Sequence, residues 1–446
     1  MPSKPEQPRL GGVYVGSPEI HRALLFSFWD GLFAQGMVAL NETFAVAAGV
    51  RLHATPLAIS MLAALPLLLG ALLQYFLPIL LSPKQRRKPV VLWGVRLQSM
   101  FLFVAAFAGW LPPTWATLCF VACFALAGVA GNATQGLWVS WLGDLLPAAR
   151  GKHLAWRNQF ISLSYLLCSL LAGLLCRNYN THTAPWLLFT LVFFASSMFR
   201  AVSYLFLSRQ MEPVPTHPEK PYVLRFQPNG TFLWFCLGTA FYQGAATMSG
   251  PFFGVFMLRD LGFDYLQLAM ATSSTVFGAI VFSRIWGSQL DKKGATYVLR
   301  ASTFLICLVP ALYLTISSPI PVYLANFFSG GMWAGYNLAM FHYLVTSVDR
   351  EHRNQSIAFA ALGQGLIGFG FSFLGGFLAT RLPHLLAFKL QSLFALSMFL
   401  RLAVAMIFFT RLHEKSEPEV PMPWETLNLK SGLHLLRLAF RPFRQQ

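Results

Sequence analysis

Two carboxylates, Asp30 and Glu42, stand inside one long apolar stretch. An ionisable group in such a setting is costly unless it faces protein or water, which makes it a candidate for function. Helical spacing puts Asp30, Phe33, Ala34, Met37 and Asn41 on one face. Glu42 lies about 120° round from Asp30 and about 18 Å further along the axis, too far for one carboxylate pair. Two readings of Asp30 stand side by side: a group that takes up and releases a proton as access to it alternates, or the fixed partner of a helix arginine. Glu42 is the second coupling candidate, and a solvated place near the end of the span is its alternative.

Three arginines, Arg96, Arg200 and Arg401, also fall inside apolar stretches. Each can hold an anion or pair with Asp30; snorkelling to the surface or pairing between helices is the structural alternative. Uncharged polar groups recur in similar positions: Asn41, Asn132, Gln135, Tyr242, Gln243, Tyr336, Asn337 and Gln364. Such groups hydrogen-bond a solute, or tie helices together at about 1 kcal/mol or less. With Trp29 and Trp333 they describe a mixed aromatic and polar wall, which suits a small organic solute better than a bare ion.

The elements that must position these residues follow from composition. Of 446 residues, 56% are hydrophobic and 11% are charged, whereas a soluble domain carries about a quarter charged residues. Apolar runs of about 20 residues are long enough to cross a bilayer as helices, and they recur along the whole chain. Twelve such helices are expected: about 23–50, 56–81, 90–111, 114–142, 157–176, 185–208, 229–257, 263–287, 299–317, 320–347, 355–380 and 385–410. The segment 209–228 carries five prolines, at 213, 215, 218, 221 and 228, so it is neither helix interior nor central strand. It is the expected joint between two six-helix halves, 22–208 and 229–411, with a polar tail 1–21 before them. The tail 412–446 pairs Trp424, Leu433, Leu436, Phe440 and Phe443 with Lys430, Arg437, Arg441 and Arg444, a basic amphipathic pattern for the inner leaflet.

The net charge of +17 reads as topology rather than nucleic-acid binding, because membrane proteins hold Lys and Arg in short cytoplasmic loops. With the N-terminus inside, inner loops hold Lys84, Arg86, Arg87, Lys88, Arg150, Lys152, Arg209, Lys220, Arg225, Lys292, Lys293, Arg350 and Arg353. Outer breaks hold Arg51, Arg177, Arg259 and Arg381. Both termini are therefore expected in the cytoplasm of an integral, multi-pass plasma-membrane protein, the inner membrane if the source is Gram-negative. The halves also repeat: at one offset Gly128 falls on Gly331, Arg150 on Arg353 and Ala155 on Ala358, and Arg200 meets Arg401 at nearly the same offset. An even helix count with the same order in each half implies parallel repeats about an axis along the membrane normal.

The stretch GSQLDKKGAT, from Gly287 to Thr296, carries Gly287, Asp291, Lys292 and Gly294 at the spacing of glycine, three residues, aspartate, base, any residue, glycine. This resembles the signature of the major facilitator superfamily. The first-half counterpart, SPKQRRKP, keeps the basic Arg86, Arg87 and Lys88, with Ser82 and Gln85 where aspartate and glycine are expected. The stretch from Ser140 to Asn158, which contains Asp144 and Arg150, is similar to the helix 4–5 connection of bacterial members, and Arg353 repeats it. The resemblance implies an all-α membrane protein of twelve transmembrane helices in two six-helix pseudo-repeat bundles, with an inner gate at these motifs. It also implies two bundles rocking about a central site with alternating access; with the aromatic and polar candidates above, the expectation is secondary active transport of a small organic solute, with proton coupling at Asp30 as its refinement.

A lipid or amphiphile translocator, or a non-transporting receptor or assembly protein on the same fold, is the alternative. The chain carries no GxxxxGK[ST], HExxH or GxSxG, so neither an ATP-driven pump nor a hydrolase of those types is indicated. Its six cysteines form no CxxC or metal-type cluster. The expected partners are membrane lipids, the solute and protons. No cofactor, metal or nucleic acid is expected, and the chain is expected to act as a monomer.

Overall fold

The computed structural model of the chain describes residues 9–10, 13–14, 18–80, 87–145, 150–177, 186–212, 230–316, 318–347, 353–383 and 387–412. Most of the 209–228 segment, Arg86 and the basic 412–446 tail beyond Leu412 lie outside these residues. A short antiparallel pair, Arg9–Leu10 with Val13–Tyr14, precedes the first helix. Every other regular element among the described residues is a helix.

The chain divides into two compact units, Met1–Arg225 with Asp264–Ala269, and Phe226–Phe263 with Met270–Gln446. The first holds α1 (Pro18–Arg51), α2 (Pro56–Leu80), α3 (Arg87–Phe107), α4 (Pro113–Leu145), α5 (Arg150–Arg177) and α6 (Leu187–Arg209). The second begins with α7 (Gly230–Val255) and continues with the run Tyr265–Leu312. That run holds two helices, α8 (265–293) and α9 (295–312), which meet at Gly294. It ends with α10 (Pro319–Thr346), α11 (Arg353–Arg381) and α12 (Lys389–Val404). Twelve helical segments thus stand in two sets of six among the described residues.

Local chemistry explains where these helices begin. Four of them open on proline, at Pro18, Pro56, Pro113 and Pro319, where the missing N–H is no loss and the ring presets φ. Glu19 in the first turn of α1 and Arg51 in its last turn complement the helix dipole. The α8–α9 connection departs from the expected loop over 288–298. Helix runs to Gly294 from both sides, and Gly294 itself sits at φ 81°, ψ 171°, a conformation open to glycine. Asp291, Lys292 and Lys293 are polar because that stretch leaves the apolar span, and charged residues form helix well. The same reason moves the start of α5 forward to Arg150: hydropathy marks where a helix leaves lipid, not where it stops.

Among the described residues, nine helical stretches are long and apolar enough to cross a membrane, with 265–312 counted once. Their outward faces fit lipid: Leu175 is 80% and Ile320 71% exposed, a poor arrangement for water. Helices α7 and α10 fall short of that apolar measure because Gly, Thr, Ser, Gln and Asn interrupt them. Their tyrosines explain the exception, since Tyr242 and Tyr336 are buried in the second unit's core with Trp286, Val298, Leu299 and Phe409.

Small residues set the helix crossings. A methyl group on Gly278 of α8 would lie 1.8 Å from the Phe327 carbonyl oxygen, and one on Gly330 of α10 would lie 1.8 Å from that of Thr275. Each helix therefore presses its backbone on the other through a glycine. In the first unit α2 and α4 meet in a related way: Gly128 faces Pro66, and Gly70 faces Asn132.

Candidate functional site

The first unit holds a half-open cavity of about 440 Å³ among α1, α3, α4, α5 and α6. Its wall includes Asp30, Gln35, Gln98, Asn132, Gln135, Trp138, Arg157, Asn158 and Arg200, between the apolar Val38, Val91, Val95, Ile161 and Leu207. A wall this polar inside so apolar a unit is the strongest departure from packing chemistry in the described residues.

The charged groups are held by a short chain of contacts. The Ser203 hydroxyl on α6 donates to Asp30 Oδ1 at 2.6 Å, and Arg200 Nη1 donates to the Ser203 Oγ at 3.1 Å. Residues 200 and 203 are one turn apart, which lets one side chain orient the next. Asp30 is buried, with 3% exposure. Arg157 on α5 approaches from the other side; its Nε and Nη2 donate to the Ser27 carbonyl at 3.3 and 3.1 Å. Its guanidinium lies 5.4 Å from the centre of the Trp138 ring, within cation–π range. Gly31 makes room for it, since a Cβ there would come within 2.5 Å of Arg157 Nη2. Two polar atoms of the wall, Arg200 Nε and Gln98 Oε1, are buried with no hydrogen-bond partner among the described residues.

The structure gathers Asp30, Asn132, Gln135 and Arg200 at this cavity and leaves other first-unit candidates elsewhere. Glu42 is exposed and accepts a hydrogen bond from the Tyr165 hydroxyl at 2.9 Å. Asn41 accepts from Ser196 Oγ at 2.8 Å and donates to Met37 Sδ at 3.0 Å, so it ties α1 to α6. Trp29 is 44% exposed and stacks on Phe206. Arg96 is exposed, donates to the Tyr204 hydroxyl and lies 4.6 Å from the centre of that ring, so it takes no part in the cavity.

In the second unit, the Tyr242 hydroxyl donates to the Thr303 carbonyl at 2.6 Å, and its ring packs on Trp333, Tyr336 and Phe409. These aromatic candidates form core rather than a described cavity. Gln364 Nε2 reaches Met340 Sδ at 3.5 Å, Asn337 is exposed, and Gln243 is half-buried.

The gate residues fall into three groups. Gly294 is the α8–α9 break; Asp291 and Lys292 are exposed beside it, and a Cβ at Gly287 would meet open space. Arg87 is held firmly: its Nε lies 3.7 Å from Glu212 Oε1, and its Nη1 donates to Ser140 Oγ at 2.7 Å. The same Glu212 oxygen accepts the backbone N–H groups of Arg87 at 2.7 Å and Lys88 at 3.3 Å, capping α3. Trp141 Nε1 donates to the Met211 carbonyl at 2.9 Å, so the chain leaving α6 is tied to both α3 and α4. Asp144, Arg150 and Arg353 lie in α4, α5 and α11, with side chains outside the description.

The pseudo-repeat is written in hydrogen bonds. Ser196 on α6 donates to the Met37 carbonyl at 3.4 Å and meets Asn41; Ser397 on α12 donates to the Ala245 carbonyl at 2.7 Å and accepts from Ser249 at 2.9 Å. Positions 37 and 41 therefore match 245 and 249, and Arg200 and Arg401 each follow their serine by four. In this register Asp30 matches Gly238, and Ser203 matches Val404. The second unit keeps the arginine and lacks both of its partners. Arg401 is buried, with 3% exposure; its Nη2 donates to Ser249 Oγ at 3.0 Å and the Ala246 carbonyl at 3.4 Å, and no carboxylate pairs with it among the described residues.

Sequence reasoning missed Arg157, Gln35, Gln98, Trp138 and Asn158. Arg157 had a signal, a base seven residues inside α5, hidden because the helix was expected to begin there. Gln98 gave none, standing in a span otherwise read as supporting.

The family profile described as the Major Facilitator Superfamily matches residues 31–243 and again 235–443. Solved structures of similar shape include a bacterial homologue of the iron transporter ferroportin in an inward-facing state, with TM-score 0.68, 13% identity, and coverage of 90% of this chain and 100% of that one. The xylose transporter XylE from E. coli aligns with TM-score 0.62 and 14% identity over 90% of this chain and 98% of its own. The nucleoside transporter NupG aligns with TM-score 0.59 and 13% identity over 90% and 100%. At these identities the likeness is one of fold. No curated protein sequence matches the chain.

Proposed function

The chain belongs to the major facilitator superfamily, and from that premise we propose that it is a secondary transporter that moves a small organic solute by alternating access. The observation that carries this reading is the 440 Å³ polar cavity inside an apolar six-helix unit, since solute sites are concave with a few convergent polar groups. Its volume is room for about fifteen waters, more than a single ion needs. The solved proteins of similar shape are named as a homologue of an iron transporter, a xylose transporter and a nucleoside transporter, so the fold sets no cargo. Asp30, the acid on the cavity wall, is the proton carrier in this reading: a carboxyl group linked to Arg200 through a serine changes charge where the solute sits.

Topology follows the charge distribution: both termini face the cytoplasm, the joint 209–228 links bundles 22–208 and 229–411, and the 412–446 tail lies on the inner leaflet of the plasma membrane.

The test is solute exchange. Purified chain in liposomes, preloaded with one solute at a time from a thermal-shift panel, is expected to accumulate labelled solute by counterflow. A panel that stabilises the protein yet gives no exchange with any member would leave a receptor and remove the transporter.

A further inference from the structure

The cavity wall carries two guanidinium groups, Arg157 and Arg200, against the one carboxylate of Asp30. We propose that the solute it holds is an organic anion, a carboxylate or phosphomonoester, clamped by Arg157 and Arg200; this rests on the reading of the cavity as the solute site.

The formal balance with all three groups ionised is one positive charge in excess. Asp30 does not cancel Arg200 directly, because among the described residues no ion pair within 4 Å joins it to either arginine, and the Ser203 hydroxyl stands between. Arg157 spends its Nε and Nη2 on a neutral carbonyl, Ser27, which satisfies hydrogens and leaves the charge in place. Arg200 Nε is buried and unpartnered, so the guanidinium keeps a charge that its protein contacts do not neutralise. An anion in the cavity is the natural counter-charge, since planar guanidinium groups match carboxylate and phosphate groups.

The same wall disfavours a metal cation. It offers one carboxylate, and no group of three or more His, Cys, Asp and Glu among the described residues could hold an ion. Two fixed positive charges beside that carboxylate oppose a divalent cation further. The amides of Gln98, Asn132 and Gln135 suit the polar remainder of an organic anion.

The experiment compares solutes matched in size and differing in charge on the purified full chain in detergent. Succinate, 1,4-butanediol and 1,4-diaminobutane form one set, glycerol phosphate and glycerol a second, and manganese(II) stands alone. Melting temperature is read against concentration. At least one anion is expected to stabilise the protein while its neutral and cationic counterparts do not, and the two sets separate carboxylate from phosphate recognition. Arg157→Gln and Arg200→Gln are each expected to weaken apparent affinity about tenfold or more, the loss of a hydrogen bond to a charged group, and Arg200→Lys to retain part of it. Gly31→Ala tests the clamp without substituting either arginine: its Cβ displaces Arg157 Nη2, the end of a flexible side chain, so affinity falls in a protein that still elutes as folded. Stabilisation by a neutral or cationic solute alone, equal stabilisation of the glutamine variants, or no stabilisation by either anion would each overturn the assignment. Anion binding without counterflow would remove the transporter reading and leave the anion site; counterflow of a neutral solute would do the reverse.

Discussion

Arg200 reaches Asp30 through an intermediary: its Nη1 donates to Ser203 Oγ at 3.1 Å, and that hydroxyl donates to Asp30 Oδ1 at 2.6 Å. A hydroxyl in this position can swing with the charge state of its neighbours, which a direct salt bridge cannot. Ser203→Ala is expected to cost about 2 kcal/mol, the range for a hydrogen bond to a charged group, and to lower the melting temperature in detergent. Ser203→Thr, which keeps the hydroxyl, restores it. An alanine variant as stable as the parent would mean that the contact contributes nothing.

Asp30→Asn separates solute binding from proton coupling. Exchange of solute at equal pH on both sides persists in the variant, while accumulation driven by a pH gradient is lost. Gradient-driven uptake at parental levels in the asparagine protein would take Asp30 out of the coupling role.

Glu212 secures the start of α3 from the far end of α6. Its carboxylate sits on the positive end of the α3 dipole and pairs with Arg87. Glu212→Gln keeps the shape and removes the charge, at an expected cost of about 1 kcal/mol. The loss shrinks in high salt to the extent that water reaches the pair, which a melting series across ionic strength would read.

The α8–α10 crossing leaves no room for a methyl group. Gly330→Ala drives a Cβ onto the Thr275 carbonyl oxygen, a backbone atom that cannot turn aside. Overpacking of this kind costs about 3 kcal/mol, so the variant is expected to express poorly and to melt early. Gly287→Ala, facing open space, is the matched control for packing and is expected to express and melt as the parent.

Much of this protein was legible in its residues, for reasons that differ by feature. Lipid imposes long apolar spans, so the helices were visible in hydropathy, more weakly for α7 and α10, and the proline-rich 209–228 segment marked the division into two sets of six. The motif singled out Gly294, but a loop over 288–298 was expected there, and the helix instead runs to that glycine from both sides. Helix length was not: residues such as Asp291, Lys292 and Arg150 leave lipid before the helix ends, and hydropathy cannot see the difference. At the site, Asp30 stood out because an acid in an apolar span has few innocent explanations. Arg157 did not, because a base near a helix start looks like a loop charge until Gly31 is seen to make space for it. The burial of Tyr242 and Tyr336 in the second unit's core was not legible for the opposite reason, since a phenol at helical spacing serves a core as readily as a solute.

Arg401 has a consequence of an electrical kind. It lies about 18 Å along α12 from Lys389, within an apolar helix, with a serine and a carbonyl as its partners where Arg200 has a carboxylate in reach. A lone fixed charge at that depth sits in the field of the membrane potential, which does about 2.3 kcal/mol of work on a unit charge crossing 100 mV. Any movement of α12 along the membrane normal is therefore movement of charge. A transport cycle in which that helix shifted would therefore register as a current.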